Sequence, residues 1–249
     1  MGVNALLSAP ADGYSTMIGS SGPLSVNPHL AKVSFDVQKS FAPISMLATL
    51  QYVLVAQPSF PASNVRDLVA LLKANPGKHN FAGSSNGTTQ HLAGELFKMQ
   101  TKTFITHIPY RGAGPALQDL IAGQVDMMFD GLGSSAAHIK GGRIRGIAVA
   151  SDKRAPGFPD VPTSAEGGVP TYQVATWYGI WTPKGTPRDL ITAMQNEMRK
   201  ALNSDELKAT WTSLGTETPN LWGDDFGKFV GAEIKRWAEV VKGSGAKLD

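Results

Sequence analysis

Residues 80–115 read NFAGSSNGTTQHLAGELFKMQTKTFITHIPYRGAGP, and the order of patterns within them decides the architecture. A short β-rich run at about Asn80–Gly83 leads through Gly83-Ser84-Ser85-Asn86-Gly87-Thr88-Thr89 into a helical pattern from about Thr88 to Met99. A second β-rich run, Phe104–His107, leads through Tyr110-Arg111-Gly112-Ala113-Gly114-Pro115 into another helix. That helix has Pro115 in its first turn, an apolar stripe of Ala116, Leu117, Leu120 and Ile121, and Gly123 just past its end. Strand, corner and helix repeated in this way are the sequence form of parallel βαβ units. Corners of such units open at one carboxyl edge of the sheet, so these two are expected to meet.

The alternation continues outward in both directions. Upstream, Tyr14–Gly19 and Thr49–Ala56 read as strands. Between the second of these and Asn80, Ser63 or Asn64 caps a helix with Val65, Leu68, Val69 and Leu72 on one face, ended by Asn75-Pro76-Gly77. Downstream, Val125–Phe129 and Ile144–Ala150 read as strands, and the Pro- and Gly-rich passage from Ala155 to Pro170 as an irregular connection. Thr176–Thr182 is a further strand, and Thr186-Pro187-Arg188-Asp189 has the form of a capping box before a helix carrying Leu190, Ile191, Met194 and Met198. Ser204 caps a short helix with Leu207 and Trp211. The last helix buries Phe226, Phe229, Val230, Trp237 and Val241 and stops at Gly243. A chain of 249 residues with this content is one large or two small α/β domains.

Composition narrows the chemistry. Charged residues are 17% of the chain, against about 25% in an average soluble protein, and the net charge is only +3. The densest basic group, Lys140, Arg143 and Arg145, has no aromatic residues interleaved, so no nucleic-acid partner is expected. Zero cysteines exclude disulfides, thiol nucleophiles and Cys-type metal sites. The five histidines show no HExxH or HxH spacing, so no metal is expected, and no apolar run is long enough to span a bilayer.

The corner Ser84, Ser85, Asn86, Gly87, Thr88 and Thr89 sets small hydroxyl and amide residues at a helix N-terminus, where open main-chain N–H groups and the partial positive charge favour an anion. A carboxylate suits it. The bland alternative is that Thr88 or Ser85 only caps the helix. Gly83, Ser85 and Gly87 also match G-x-S-x-G, which would make Ser85 a hydrolase nucleophile with Asp130 and His138 as partners, both from one short later segment. In the second corner, Gly112 and Gly114 let a ligand approach the main chain, Arg111 can pair with a carboxylate, and Tyr110 offers a ring face and a hydroxyl, the bland alternative being a surface arginine over a tight turn. A third corner, Asp130-Gly131-Leu132-Gly133-Ser134-Ser135-Ala136, matches G-x-G-x-x-A, a dinucleotide fingerprint in the wrong βαβ unit and before too short a helix; its Asp130 and Ser134 would instead line the same cleft. His91 and Glu95 read as a surface i, i+4 pair, and Trp177, Tyr178 and Trp181, which resemble an aromatic ligand wall, as core or hinge packing.

The segments FAGSSNGTTQHLAGELF, HIPYRGAGPALQDLIAGQVDMMFD, IAVASDKR with PDVPTSAEGG, WYGIWTPKGTP and VVKGSGAKLD follow one another in this order. Together they resemble the Bug family, periplasmic solute-binding receptors of tripartite tricarboxylate transporters. The resemblance implies a type II periplasmic-binding-protein-like α/β fold, a Venus flytrap of two α/β domains joined by crossing hinge strands. It implies a terminal domain of residues 1–55 and 177–249 and an inserted ligand-binding domain of residues 56–176. It further implies a small dicarboxylate, tricarboxylate or acidic amino acid held by Ser84–Thr89, by Tyr110, Arg111, Gly112 and Ala113, by Asp130, and by Ser20 and Ser21 from the opposing domain. No catalytic residue, cofactor or metal is implied, and the partners are membrane components of the transporter. Family members open with a signal peptide and a first strand–helix unit. Here Gly2–Ala9 resembles the end of the helix that follows, so the terminal domain is expected without that unit and the chain without an export signal.

Overall fold

In the computed structural model, which describes residues 2–246, the corners of the sequence become the carboxyl edge of a small parallel sheet. Met1 and residues 247–249, the end of the VVKGSGAKLD stretch, lie outside the described residues. The chain begins with α1 (Gly2–Leu7), β1 (Met17–Ser20), a π-helical turn at Gly22–Val26, α2 (Asn27–Leu30), α3 (Val37–Ser40) and β2 (Phe41–Ala56). It continues with α4 (Val65–Ala74), β3 (Asn80–Ser84), α5 (Thr89–Thr101), β4 (Thr106–Tyr110), α6 (Ala113–Ile121), β5 (Met127–Gly131), α7 (Leu132–Lys140) and β6 (Arg145–Val149). After the irregular passage come β7 (Ala175–Pro183), α8 (Arg188–Leu202), α9 (Asp205–Ser213), β8 (Thr216–Glu217) and α10 (Gly223–Ser244).

The chain divides into two compact units. One comprises Met1–Thr49, Trp177–Thr212 and Glu217–Glu239; the other comprises Leu50–Thr176, Ser213–Thr216 and Val240–Asp249. In the first, β1 pairs antiparallel with β7, Met17 opposite Trp181 and Ser20 opposite Tyr178. Its core gathers Leu6, Leu24, Val37, Phe41, Met46, Trp177, Trp181, Phe226 and Val230. Phe226 stands edge-on to Trp177, with ring centroids 5.7 Å apart. Gly179 lies against this phenylalanine, since a Cβ there would run into the ring.

In the second unit, β3 pairs in parallel with β4 on one side and β5 on the other. The sheet is completed by the later half of β2, antiparallel to both β5 and β6. Val53, Val55, Ala82, Leu117, Leu120, Met128, Leu132 and Val149 form the core between this sheet and its helices. The α4 cap is Asn64, whose side chain accepts from the Asp67 N–H at 2.9 Å.

Three expectations shift. β2 extends back to Phe41, through Pro43, a residue that discourages a strand reading. β4 runs later than the sequence suggests and includes Pro109 opposite Gly83; β4 is an edge strand, where a missing donor costs no ladder bond. The capping box before α8 does not form: the Thr186 hydroxyl is buried against Thr182 and the Pro183 carbonyl, and Pro187 stands at the cap position without a side-chain bond.

Candidate functional site at three strand-to-helix corners

Register places the three corners side by side. Ser84 is opposite Tyr110 across β3 and β4, and Phe81 is opposite Met127 across β3 and β5. Three residues further on, the same register sets Ser84 level with Asp130. Each of these strand ends runs into a helix, so the N-termini of α5, α6 and α7 share one carboxyl edge. Main-chain N–H groups in the first turns have no intrahelical acceptor, and the positive ends of three dipoles are brought together. Neither α6 nor α7 receives a side-chain cap, and the α6 cap is Gly112 at φ 114, open to only a residue without Cβ.

The first corner is held from within. The Ser84 N–H donates to Gln90 Oε1 at 2.7 Å, and the Gly87 N–H donates to His91 Nδ1 at 3.0 Å. The Thr88 hydroxyl caps α5 by accepting from the His91 N–H, while it faces the Ser84 and Ser85 carbonyls. Ser85 occupies the left-handed region at φ 46, and its N–H donates to the Tyr110 carbonyl at 2.9 Å. Thr88 is therefore the helix cap. Ser85 remains exposed, and the amides of Thr89 and Gln90 open the helix.

Several candidates have definite duties. The Tyr110 hydroxyl donates to Asp119 Oδ2 at 2.7 Å, tying β4 to α6; burial and that carboxylate push its pKa up to about 12. Arg111 is exposed, with no ion pair among the described residues. Ala113 opens α6. Asp130 is 1% exposed, with Oδ1 accepting from Gln90 Nε2 at 2.5 Å and Oδ2 from the Ser134 and Ser135 hydroxyls at 2.6 Å each. Burial raises its pKa while the three donors oppose that shift. Both oxygens are thus engaged by α5 and α7. In the other unit, Ser20 ends β1 and lines a cavity of about 600 Å³ with Asn27 and Lys32. Ser21 is fully buried, its hydroxyl without a hydrogen-bond partner among the described residues.

The hydrolase geometry is not present. Ser85 Oγ faces the Tyr110 carbonyl at 3.4 Å, and Asp130 is bonded to an amide and two hydroxyls rather than to an imidazole. Among the described residues no cluster of three or more His, Asp or Glu is placed to hold a metal ion.

Sequence reasoning missed Gln90 and the histidines. Gln90 meets Asp130 across 40 residues, a contact with no local signature. His91 and Glu95 are both largely buried, 3.6 Å apart, rather than a surface pair. The His91 ring stacks on His107 with centroids 4.2 Å apart. A Cβ on Gly83 would come within 2.6 Å of His107 Nε2, so the strand end tolerates only glycine over that ring.

The family model for the tripartite tricarboxylate transporter family receptor matches residues 1–246. The chain belongs to this receptor family. Protein BugT of Bordetella pertussis is 34% identical over 250 residues, covering 100% of this chain and 77% of that protein. Among solved structures, an R. palustris protein with adipate superposes with a TM-score of 0.86 at 33% identity, covering 100% of this chain and 84% of the other. MatC from Rhodopseudomonas palustris, with bound malate, superposes with a TM-score of 0.83 at 28% identity, covering 96% and 83%. The expectation of a type II binding-protein fold is met. The receptors of this family are solute-capturing proteins rather than enzymes. No helix among its described residues is long and apolar enough to cross a membrane.

Proposed function

We propose that this receptor captures a small di- or tricarboxylate, or an acidic amino acid, on the corners Ser84–Thr89 and Tyr110–Ala113. It delivers that acid in the periplasm to the membrane components of a tripartite tricarboxylate transporter. The observation that carries the reading is the alignment of three helix N-termini at one sheet edge. A carboxylate there is met by amides and hydroxyls of fixed orientation, with the exposed Arg111 as a cation in the second corner. Neutral donors suit reversible capture, because release then breaks no buried ion pair. The two neighbouring structures hold adipate and malate, both dicarboxylates, which supports the same class for this chain.

Calorimetric titration of ligand-stripped protein with adipate, malate, citrate and glutamate tests the proposal, with melting curves alongside. A ligand present at about a hundred times its Kd adds about 2.7 kcal/mol to stability, which a melting curve resolves readily. Silence from all four acids in both measurements sinks the reading.

A further inference from the structure

We propose that Gln90 is a positioning residue for the acid-binding corner, the strut through which the buried Asp130 carboxylate sets the main chain at Ser84. The inference rests on the reading of Ser84–Thr89 as part of the acid site. Gln90 is the second residue of α5 and is 7% exposed. Its carboxamide reaches back across the corner, accepting from the Ser84 N–H at 2.7 Å and donating to Asp130 Oδ1 at 2.5 Å. One group that accepts on one side and donates on the other satisfies both neighbours. Glutamate, of the same shape, would set a second carboxylate against Asp130.

The consequence runs along the edge of the sheet. With its N–H held, Ser84 turns its carbonyl to the Thr88 hydroxyl, Ser85 enters the left-handed region, and the Ser85 N–H closes on Tyr110. Asp130 is itself fixed by Ser134 and Ser135 in the first turn of α7. The strut thus ties the start of α5 to the start of α7 and holds the corner in shape before any ligand arrives. Order already present in the free protein does not have to be imposed on binding, and affinity rises accordingly.

The test compares the parent with Gln90→Glu and with the double variant Gln90→Glu/Asp130→Asn, which exchanges carboxylate and amide but keeps both hydrogen bonds. In the double variant the carboxylate introduced at position 90 accepts from the Ser84 N–H and from the amide introduced at position 130. The carbonyl of that amide still accepts from the two serines. Malate and adipate are titrated in the cold, far below the melting temperatures, so that unfolding takes no share of the result. Hydrogen exchange of the Ser84 amide is followed by NMR without ligand. The single variant is expected to bind about tenfold more weakly or worse and to lose protection at Ser84. The double variant is expected to recover both to within about threefold. Parent-like affinity and protection in Gln90→Glu overturn the proposal, as does a folded double variant whose corner stays loose. If the parent binds neither acid, the reading of the acid site has failed, and Ser84 exchange still decides whether the strut exists.

Discussion

The Ser85 N–H donates to the Tyr110 carbonyl at 2.9 Å, so the corner after β3 and the corner after β4 are joined by a main-chain hydrogen bond that needs no particular side chain at either position. What it does need is the left-handed conformation of Ser85, at φ 46. An L residue there costs about 1 kcal/mol, which the surrounding bonds offset. A Ser85→Gly variant relieves that strain and is expected to gain about 0.5 kcal/mol after the added freedom of its unfolded chain, whereas Ser85→Val loses about 1–2 kcal/mol. Urea unfolding of the three proteins checks the order glycine, serine, valine.

Much of this edge was legible in the sequence because its signals are local. Pro115 and Gly123 bracket α6, Asn64 caps α4, and small residues before Thr89 mark the first corner. What escaped is what joins segments far apart in the chain. Gln90 on Asp130 depends on the register of β3 with β5, and no spacing rule carries that register. Asp130 looked like a ligand residue because an acid at a strand end before a helix is the usual place for one. It is the burial at that position, invisible in the sequence, that turns it to structural use. Pro43 hid the first half of β2 for the opposite reason: a strong local signal against a strand, overruled by packing around Phe41, Ile44 and Met46.

Tyr110 separates holding the site from touching the ligand. Its hydroxyl is engaged by Asp119, so Tyr110→Phe is expected to lose about 1 kcal/mol of stability. Affinity for a dicarboxylate should stay within about threefold of the parent, because the main-chain carbonyl that receives Ser85 is untouched. A loss of affinity far larger than the loss of stability would place the hydroxyl on the ligand instead.

Gly94 is where α5 lies on β3. A Cβ at this position would collide with the Phe81 ring, which is fully buried and wedged against Phe129 and His107. The ring has nowhere to turn. Gly94→Ala is therefore expected to lose about 1–3 kcal/mol despite alanine's better helix propensity. Adding Phe81→Leu opens space, so the double variant should be more stable than the sum of the single effects predicts, by about 1 kcal/mol in a thermal double-mutant cycle.

His107 gives the molecule a pH dependence of definite sign. Burial, and secondarily the neighbouring His91, lower its pKa from the ordinary 6.5 to about 4. Between these values the unfolded chain takes up a proton that the folded protein refuses, so this ring costs nothing above pH 6.5 and costs stability progressively as the pH falls toward 4. Solvent reaches part of the ring, which limits the effect to roughly 1–2 kcal/mol. Replacing His107 by Asn removes the titrating group but keeps a polar side chain under Gly83. The parent should then lose more stability than His107→Asn between about pH 7 and pH 5 when both are unfolded in urea, with Glu95 and Lys98, the other charges beside the stacked rings, present in each protein. Equal losses would mean that His107 takes its proton in the folded state as readily as in the unfolded one, and that the stack with His91 does not exclude the charge.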